Sequence, residues 1–242
     1  MKTIQKCRSV GLIGGLGIGA TVYYYQSIVE AYTTQGLIPR LFIAHADVAR
    51  VLANVRDGKL VELAEYLAGF AESLAAAGAD IGAIAAITPH ICVHDIARRT
   101  RLPLVNLVDE TAREIRARGF RRVALFGTRF TIESKFFGAL GDVEVIQPSP
   151  EEIDYIHRAY IEIVNAGRGS MTHETGLRNL AKTLCRRDNV QAIVLAGTEL
   201  NLIFNNANTD FPAIDCARAH IDGIIRQLRS GNANDKGVYR DT

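Results

Sequence analysis

The chain has 242 residues, 48% of them hydrophobic and 22% charged, and its 28 basic and 26 acidic side chains leave a formal charge of +2. That length can bury a large core, in one domain or in two lobes, and interspersed charge of both signs argues against a nucleic-acid surface. No apolar run reaches the ~18 residues needed to cross a bilayer, and the opening MKTIQKCRSV has no hydrophobic signal core. A cytoplasmic protein without membrane contact is therefore expected. The four cysteines (Cys7, Cys92, Cys185, Cys216) form no CxxC pair and no metal-finger pattern, so free thiols and no metal are expected.

Strands are predicted at 9–14, 41–46, 81–87, 104–108, 123–127, 143–147 and 192–196. Helix-period stretches lie between them at 20–32, 59–77, 91–99, 109–118, 131–140, 153–166, 173–186 and 217–228. Strands that are apolar on both faces and separated by helices imply α/β architecture with parallel sheets covered on both sides.

The second half partly repeats the first. AAAGAD leads into the strand at 81–87 and then Thr88, while the segment from Cys185 to Asn189 leads into 192–196 and then Gly197-Thr198-Glu199. This pattern predicts two similar lobes facing a cleft, the first built from 1–112 plus 215–242 and the second from 113–214. The polar tail after 229 reads as frayed.

After the first strand, residues 14–21 read GGLGIGAT and open a helix. Glycines allow φ > 0 and close approach of a ligand, and free helix N–H groups attract anions. The spacing is G-x-G-x-G rather than the dinucleotide G-x-G-x-x-G, and no Lys-Ser or Lys-Thr completes a phosphate loop. A turn facing a carboxylate, with Gly15 at its centre, fits better than a nucleotide site.

This opening, followed by Thr21-Val22-Tyr23, resembles the aspartate/glutamate racemase family, which reads GG-[LM]-G-P-x-A-T there; Ile18 stands in place of the proline. Thr88-Pro89-His90 is similar to the family's N-T-P-H, Pro103-Leu104-Val105 to its I-P-L-[IV], and Gly127-Thr128-Arg129-Phe130-Thr131 to its L-G-T-R-F-T. Tyr155 to Arg158, Leu195 to Leu200 and Asp215 to His220 complete the series in order, over roughly residues 9 to 225. The resemblance implies a two-lobed, usually dimeric enzyme that needs no cofactor. A small amino-dicarboxylate would lie between the lobes, with one cysteine from each lobe exchanging the Cα proton.

Aligned on the family, the thiol positions fall on Ala86 and Gly197, and Ile87 replaces the adjacent asparagine. Neither alanine nor glycine can carry a proton. Two-thiol racemisation is therefore expected to be absent or altered. Substitute bases to consider are Cys216, Glu199 and His90, with Asp47 and His45 at the end of the second strand and Cys92 less favoured. Thr88 before Pro89 is expected to cap a helix. Together with Gly15, Asp47, Thr128, Arg129, Thr131 and Thr198 it makes up the expected carboxylate-binding set. Two readings stay open: an enzyme with altered chemistry, such as one-base exchange, isomerisation or decarboxylation, and a catalytically silent ligand-binding relative.

Overall fold

The computed structural model describes residues 8–34, 38–205 and 208–230; Cys7 and most of the polar tail lie outside them. Eight strands form two four-stranded sheets, β2-β1-β3-β4 and β6-β5-β7-β8, and every recorded pairing is parallel. The first contains β1 (Val10–Gly14), β2 (Leu41–His45), β3 (Ile81–Ile84) and β4 (Leu104–Val105). The second contains β5 (Arg122–Gly127), β6 (Glu144–Ile146), β7 (Ala192–Ala196) and β8 (Ala213–Asp215). The strand order is the same in both, which is the physical content of the partial repeat: β3 and β7 occupy equivalent places, so Ala86 and Gly197 follow equivalent strands. The α/β two-lobed class read from the sequence is the one observed.

Helices α1 (Ile18–Thr33), α2 (Val48–Arg56), α3 (Leu60–Ala76) and α4 (Val93–Arg98) accompany the first sheet. Then come α5 (Leu107–Ala117), α6 (Arg129–Glu133), α7 (Pro150–Ala166), α8 (Met171–Arg187) and α9 (Cys216–Ser230). Their local causes are visible. Ser149 and Glu152 close a capping box around Pro150 at the start of α7, and Gly167 ends that helix at φ 62°. Asp47 caps α2, accepting from the N–H groups of Ala49 (2.8 Å) and Arg50 (3.4 Å).

One core lies in the second lobe, around Phe126, Ile156, Ile163 and Val194. Two lie on the first sheet's faces. One of them joins Val10 and Leu12 to Ile221, Ile224 and Leu228, so α9 leaves β8 and packs back on the first sheet. It crosses α5 where Gly223 meets Glu110; a Cβ at 223 would lie 2.6 Å from Glu110 Cγ. Glu110, 6% exposed, pairs there with Arg226 and Arg113.

Several boundaries differ from the sequence reading. The short α2 was not expected; it spans only nine residues, and of them only Val51 is buried. Strand β8 was missed because it has three residues and follows Pro212. The helix expected at 131–140 breaks at Lys135 and Phe136, which adopt φ 51° and 60°. Thr88 does not cap a helix. It lies inside a 3-10 turn, Thr88–Cys92, which starts at Ile87 without a side-chain cap.

Candidate functional site

In parallel α/β sheets ligands collect beyond the carboxyl ends of the strands. Here those ends carry the glycine turn after β1, the turns at Ala86 and Gly197 after β3 and β7, the Thr128 turn after β5 and the Asp215–Cys216 junction after β8. Gly15 takes φ +82°, and a Cβ there would meet the Ala46 carbonyl oxygen at 2.6 Å, so only glycine fits. Its N–H donates to Thr21 Oγ1 (3.0 Å), fixing the turn onto the first turn of α1.

Glu199 is the hub. It is 3% exposed, and its Oε2 accepts from the Tyr160 hydroxyl (2.5 Å) and the Thr198 hydroxyl (3.0 Å). Its other oxygen reaches the opposite lobe: a Cβ built on Gly17 would overlap Oε1 and stand 3.0 Å from Cδ. The carboxylate thus lies beside the start of α1, where unpaired N–H groups and the helix dipole favour an anion. Burial beside this carboxylate holds the Tyr160 phenol well above its ordinary pKa, so it is a donor at neutral pH.

Gly197 is backbone-extended, at φ −139°, and any residue could adopt that conformation. Space is the constraint. A Cβ at 197 would lie 2.7 Å from Tyr160 Cζ. The ring of Tyr160 therefore occupies the place a side chain at this position would need, and leaves no room for a ligand there. Sequence reading overlooked Tyr160. Its only signal is a tyrosine on the buried stripe of α7.

A string of buried polar groups runs from there toward Ala86. Cys216 is fully buried, and desolvation with Asp215 and Glu199 nearby drives its thiol pKa far up. Tyr24, also fully buried, donates to His220 Nδ1 (2.9 Å), and His220 Nε2–H donates to the Val105 carbonyl (2.9 Å). The His220 ring meets the His90 ring edge-on, with centroids 5.9 Å apart. His90 Nδ1–H donates to the Ala86 carbonyl (2.9 Å), and the Leu107 N–H donates to its Nε2 (3.2 Å). Both histidines are neutral by this bonding, and burial lowers their pKa values to about 4 for His90 and about 3 for His220.

Other expected site residues stand elsewhere. Thr128 Oγ1 accepts from the Thr131 N–H (3.2 Å) and contacts its hydroxyl (2.9 Å), closing the first turn of α6. Arg129 directs its guanidinium to Glu133 (2.6 Å) and Asp154. The Asp47 carboxylate is engaged as the α2 cap described above. Cys92 gives its S–H to the Pro89 carbonyl (3.4 Å), and burial raises its pKa to about 11. Among the described residues no group of three or more His, Cys, Asp or Glu side chains is arranged to hold a metal, and no helix is long and apolar enough to cross a membrane.

A cavity of about 390 Å³ opens beside this cluster, between α1, α9, β8 and the 3-10 turn Thr198–Leu202. Tyr23, Asn201, Asp215 and Arg218 line it, whereas Gly15, Ala86, Thr88, Thr128, Thr198 and Glu199 do not.

The chain is similar in fold and sequence to known proteins. A candidate Asp/Glu racemase from Yersinia pestis shares 28% identity at a TM-score of 0.81, over 92% of this chain and 99% of that one. An aspartate racemase homologue from Pyrococcus horikoshii OT3 shares 26% at a TM-score of 0.77, over 93% and 99%. Glutamate racemase from Francisella tularensis, in complex with D-glutamate, shares the fold at 16% identity and a TM-score of 0.64, over 96% and 85%. The model of the Asp/Glu/Hydantoin racemase family matches residues 13–224, and the chain belongs to that family.

Proposed function

We propose that this protein binds a small carboxylate, an amino acid or a related acid, in the cleft between its lobes, and that two-thiol Cα proton transfer is replaced or lost. The observation that carries this reading is the Glu199–Tyr160–Thr198 cluster, which surrounds Gly197 and lies against the glycine turn of the other lobe. Of the substitute bases, Glu199 is the best placed. Cys216 is held protonated by burial, His90 has both ring nitrogens engaged, and the Asp47 carboxylate caps α2. In one-base exchange the Glu199 carboxylate would take the Cα proton and return it, with the Tyr160 and Thr198 hydroxyls fixing its orientation. Backbone N–H groups at the glycine turn would offset charge growing on the substrate carboxylate. In this reading the first lobe is 1–112 with 215–242 and the second is 113–214. The protein works as a cytoplasmic homodimer without cofactor, metal or nucleic acid.

A catalytically silent relative is the second reading. It is favoured by the same contact seen differently: Glu199 lies on the glycine turn where a ligand carboxylate would go. Proton NMR in D₂O with L- and D-aspartate and L- and D-glutamate separates the two. Loss of the Cα–H signal that vanishes in Glu199→Gln supports one-base exchange. Saturable binding without exchange supports the silent relative, and neither binding nor exchange with any of the four removes acidic amino acids as ligands.

A further inference from the structure

His45 is the last residue of β2, and the parallel register sets it beside Gly14 of β1. The Ala46 N–H donates to the Gly14 carbonyl (2.9 Å), so the end of β2 is fastened to the start of the glycine turn. A Cβ built on Gly15 would stand 2.8 Å from both Cγ and Cε1 of His45. The imidazole ring therefore lies against the turn, in space that a side chain at residue 15 would take.

This ring is uncommitted. His45 is exposed, and among the described residues neither of its nitrogens has a hydrogen-bond or ion-pair partner. Other polar side chains at the strand ends are taken: Asp47 by its cap, His90 by Ala86 and Leu107, and Arg129 by Glu133 and Asp154. Two residues further along the same turn, Gly17 meets the Glu199 carboxylate of the other lobe. A turn of backbone N–H groups favours an anion. An imidazole beside it adds a side-chain N–H donor, which becomes a cation on protonation.

We propose that His45 is the side-chain donor for the ligand carboxylate, a ring N–H donating to a carboxylate oxygen seated on the glycine turn. This role rests on the reading of the cleft as a carboxylate site, and it supplies the residue that holds that carboxylate from the first lobe. Hydrogen bonds to an ionised acceptor are among the stronger ones. Where the Cα proton passes to Glu199, the C–H electron pair moves onto the carboxylate as an enediolate. The same N–H then faces the oxygens on which charge grows, so its bond strengthens as the reaction proceeds. In a silent relative the contact serves binding alone.

Titration of the full chain with acetate, L-aspartate and L-glutamate, and with acetamide as an uncharged match, tests this by NMR. The signals to follow are the amides of Gly15 and Gly17 and the ring of His45. Each titration is run in the wild type and in Glu199→Ala, where no tethered carboxylate competes. At least one carboxylate is expected to shift both sets of signals, and acetamide neither. His45→Leu is expected to weaken that binding about tenfold or more, whereas His45→Gln, which keeps an N–H donor, should stay within about threefold of the parent. Thermal melts check that both variants keep the fold. Unchanged affinity in His45→Leu overturns the role of His45 and leaves the carboxylate cleft standing. Equal losses in the two variants also overturn it, because they mark the ring as packing and not as a donor. If no carboxylate moves the glycine-turn amides in either background, the carboxylate seat falls and the role of His45 with it.

Discussion

The ring of Tyr160 fills the space beside Gly197, so close that a Cβ on residue 197 would stand 2.7 Å from the tyrosine Cζ. The glycine and the tyrosine form a complementary pair, and neither can be changed alone without a packing defect. Gly197→Cys is expected to destabilise the protein by about 1–3 kcal/mol through overpacking. Tyr160→Ala is expected to cost about 3–5 kcal/mol through the cavity it opens. Combined, they should cost at least about 1 kcal/mol less than their sum, read from urea unfolding midpoints in a double-mutant cycle. Strictly additive costs would show that the ring is not what blocks the position.

Thiol reactivity should follow burial. Desolvation raises the pKa of all three thiols, but Cys185 is partly exposed, whereas Cys92 and Cys216 are buried and raised further. Iodoacetamide at neutral pH is expected to alkylate Cys185 on the order of tenfold faster than either of the others, because the thiolate is the nucleophile. Peptide mass spectrometry over time reads this directly. Fast modification of Cys216 in the folded protein would reinstate it as a base.

Acid should weaken the fold from about pH 6.5 downward. His90 and His220 have folded pKa values of about 4 and about 3, so below 6.5 the unfolded chain binds their protons and the folded chain does not. Stability is then lost as pH falls toward 4, on the order of a few kcal/mol. Asp215 acts in the opposite sense. Its folded pKa of about 6 lets the native state take a proton first, which partly offsets the loss between pH 6 and 4. Asp215→Asn should therefore steepen the decline in denaturation curves between pH 7 and 4.5. A stability flat over that range would mean the histidines are not buried neutral.

The crossing of α5 and α9 predicts a cost for Gly223→Ala despite alanine's better helix propensity. The added methyl meets Glu110 Cγ and Cδ, both at 2.6 Å, and Glu110 is held there by Arg226 and Arg113. We expect a net loss of about 1–2 kcal/mol, with the ~1 kcal/mol propensity gain set against overpacking. Thermal melts of Gly223→Ala with and without Glu110→Ala should show relief in the double variant.

Most of the scaffold was legible because its signals are periodic and local. Apolar runs such as 192–196 are read easily, and the turns that follow them repeat from one lobe to the other. The elements missed were short, namely α2 and β8. The family's sequence turns located Ala86 and Gly197, and Glu199 was among the residues singled out. What the sequence could not convey is where a side chain on one element meets the backbone of another. Tyr160 belongs to α7 and carries no motif, yet it defines the space at residue 197. His90 was ambiguous from sequence between holding the turn and serving the site; its partners, Ala86 and Leu107, are backbone groups brought together by folding. Asp47 was ambiguous from sequence because a carboxylate at a strand end can cap a helix or face a ligand, and the choice depends on three-dimensional direction.

The contact of Glu199 with the glycine turn bears on any affinity measured for this protein. For a ligand carboxylate seated as proposed above, the Glu199 carboxylate tethered beside Gly17 is a competitor at an effective concentration on the order of millimolar. An incoming anion must first evict it, so observed affinity is the intrinsic affinity multiplied by the fraction of molecules in which the seat is free. If that fraction were about 1%, binding would look roughly a hundredfold weaker than the seat itself allows. Shortening the tethered acid would then strengthen binding while removing the best-placed base, so affinity and turnover would move in opposite directions.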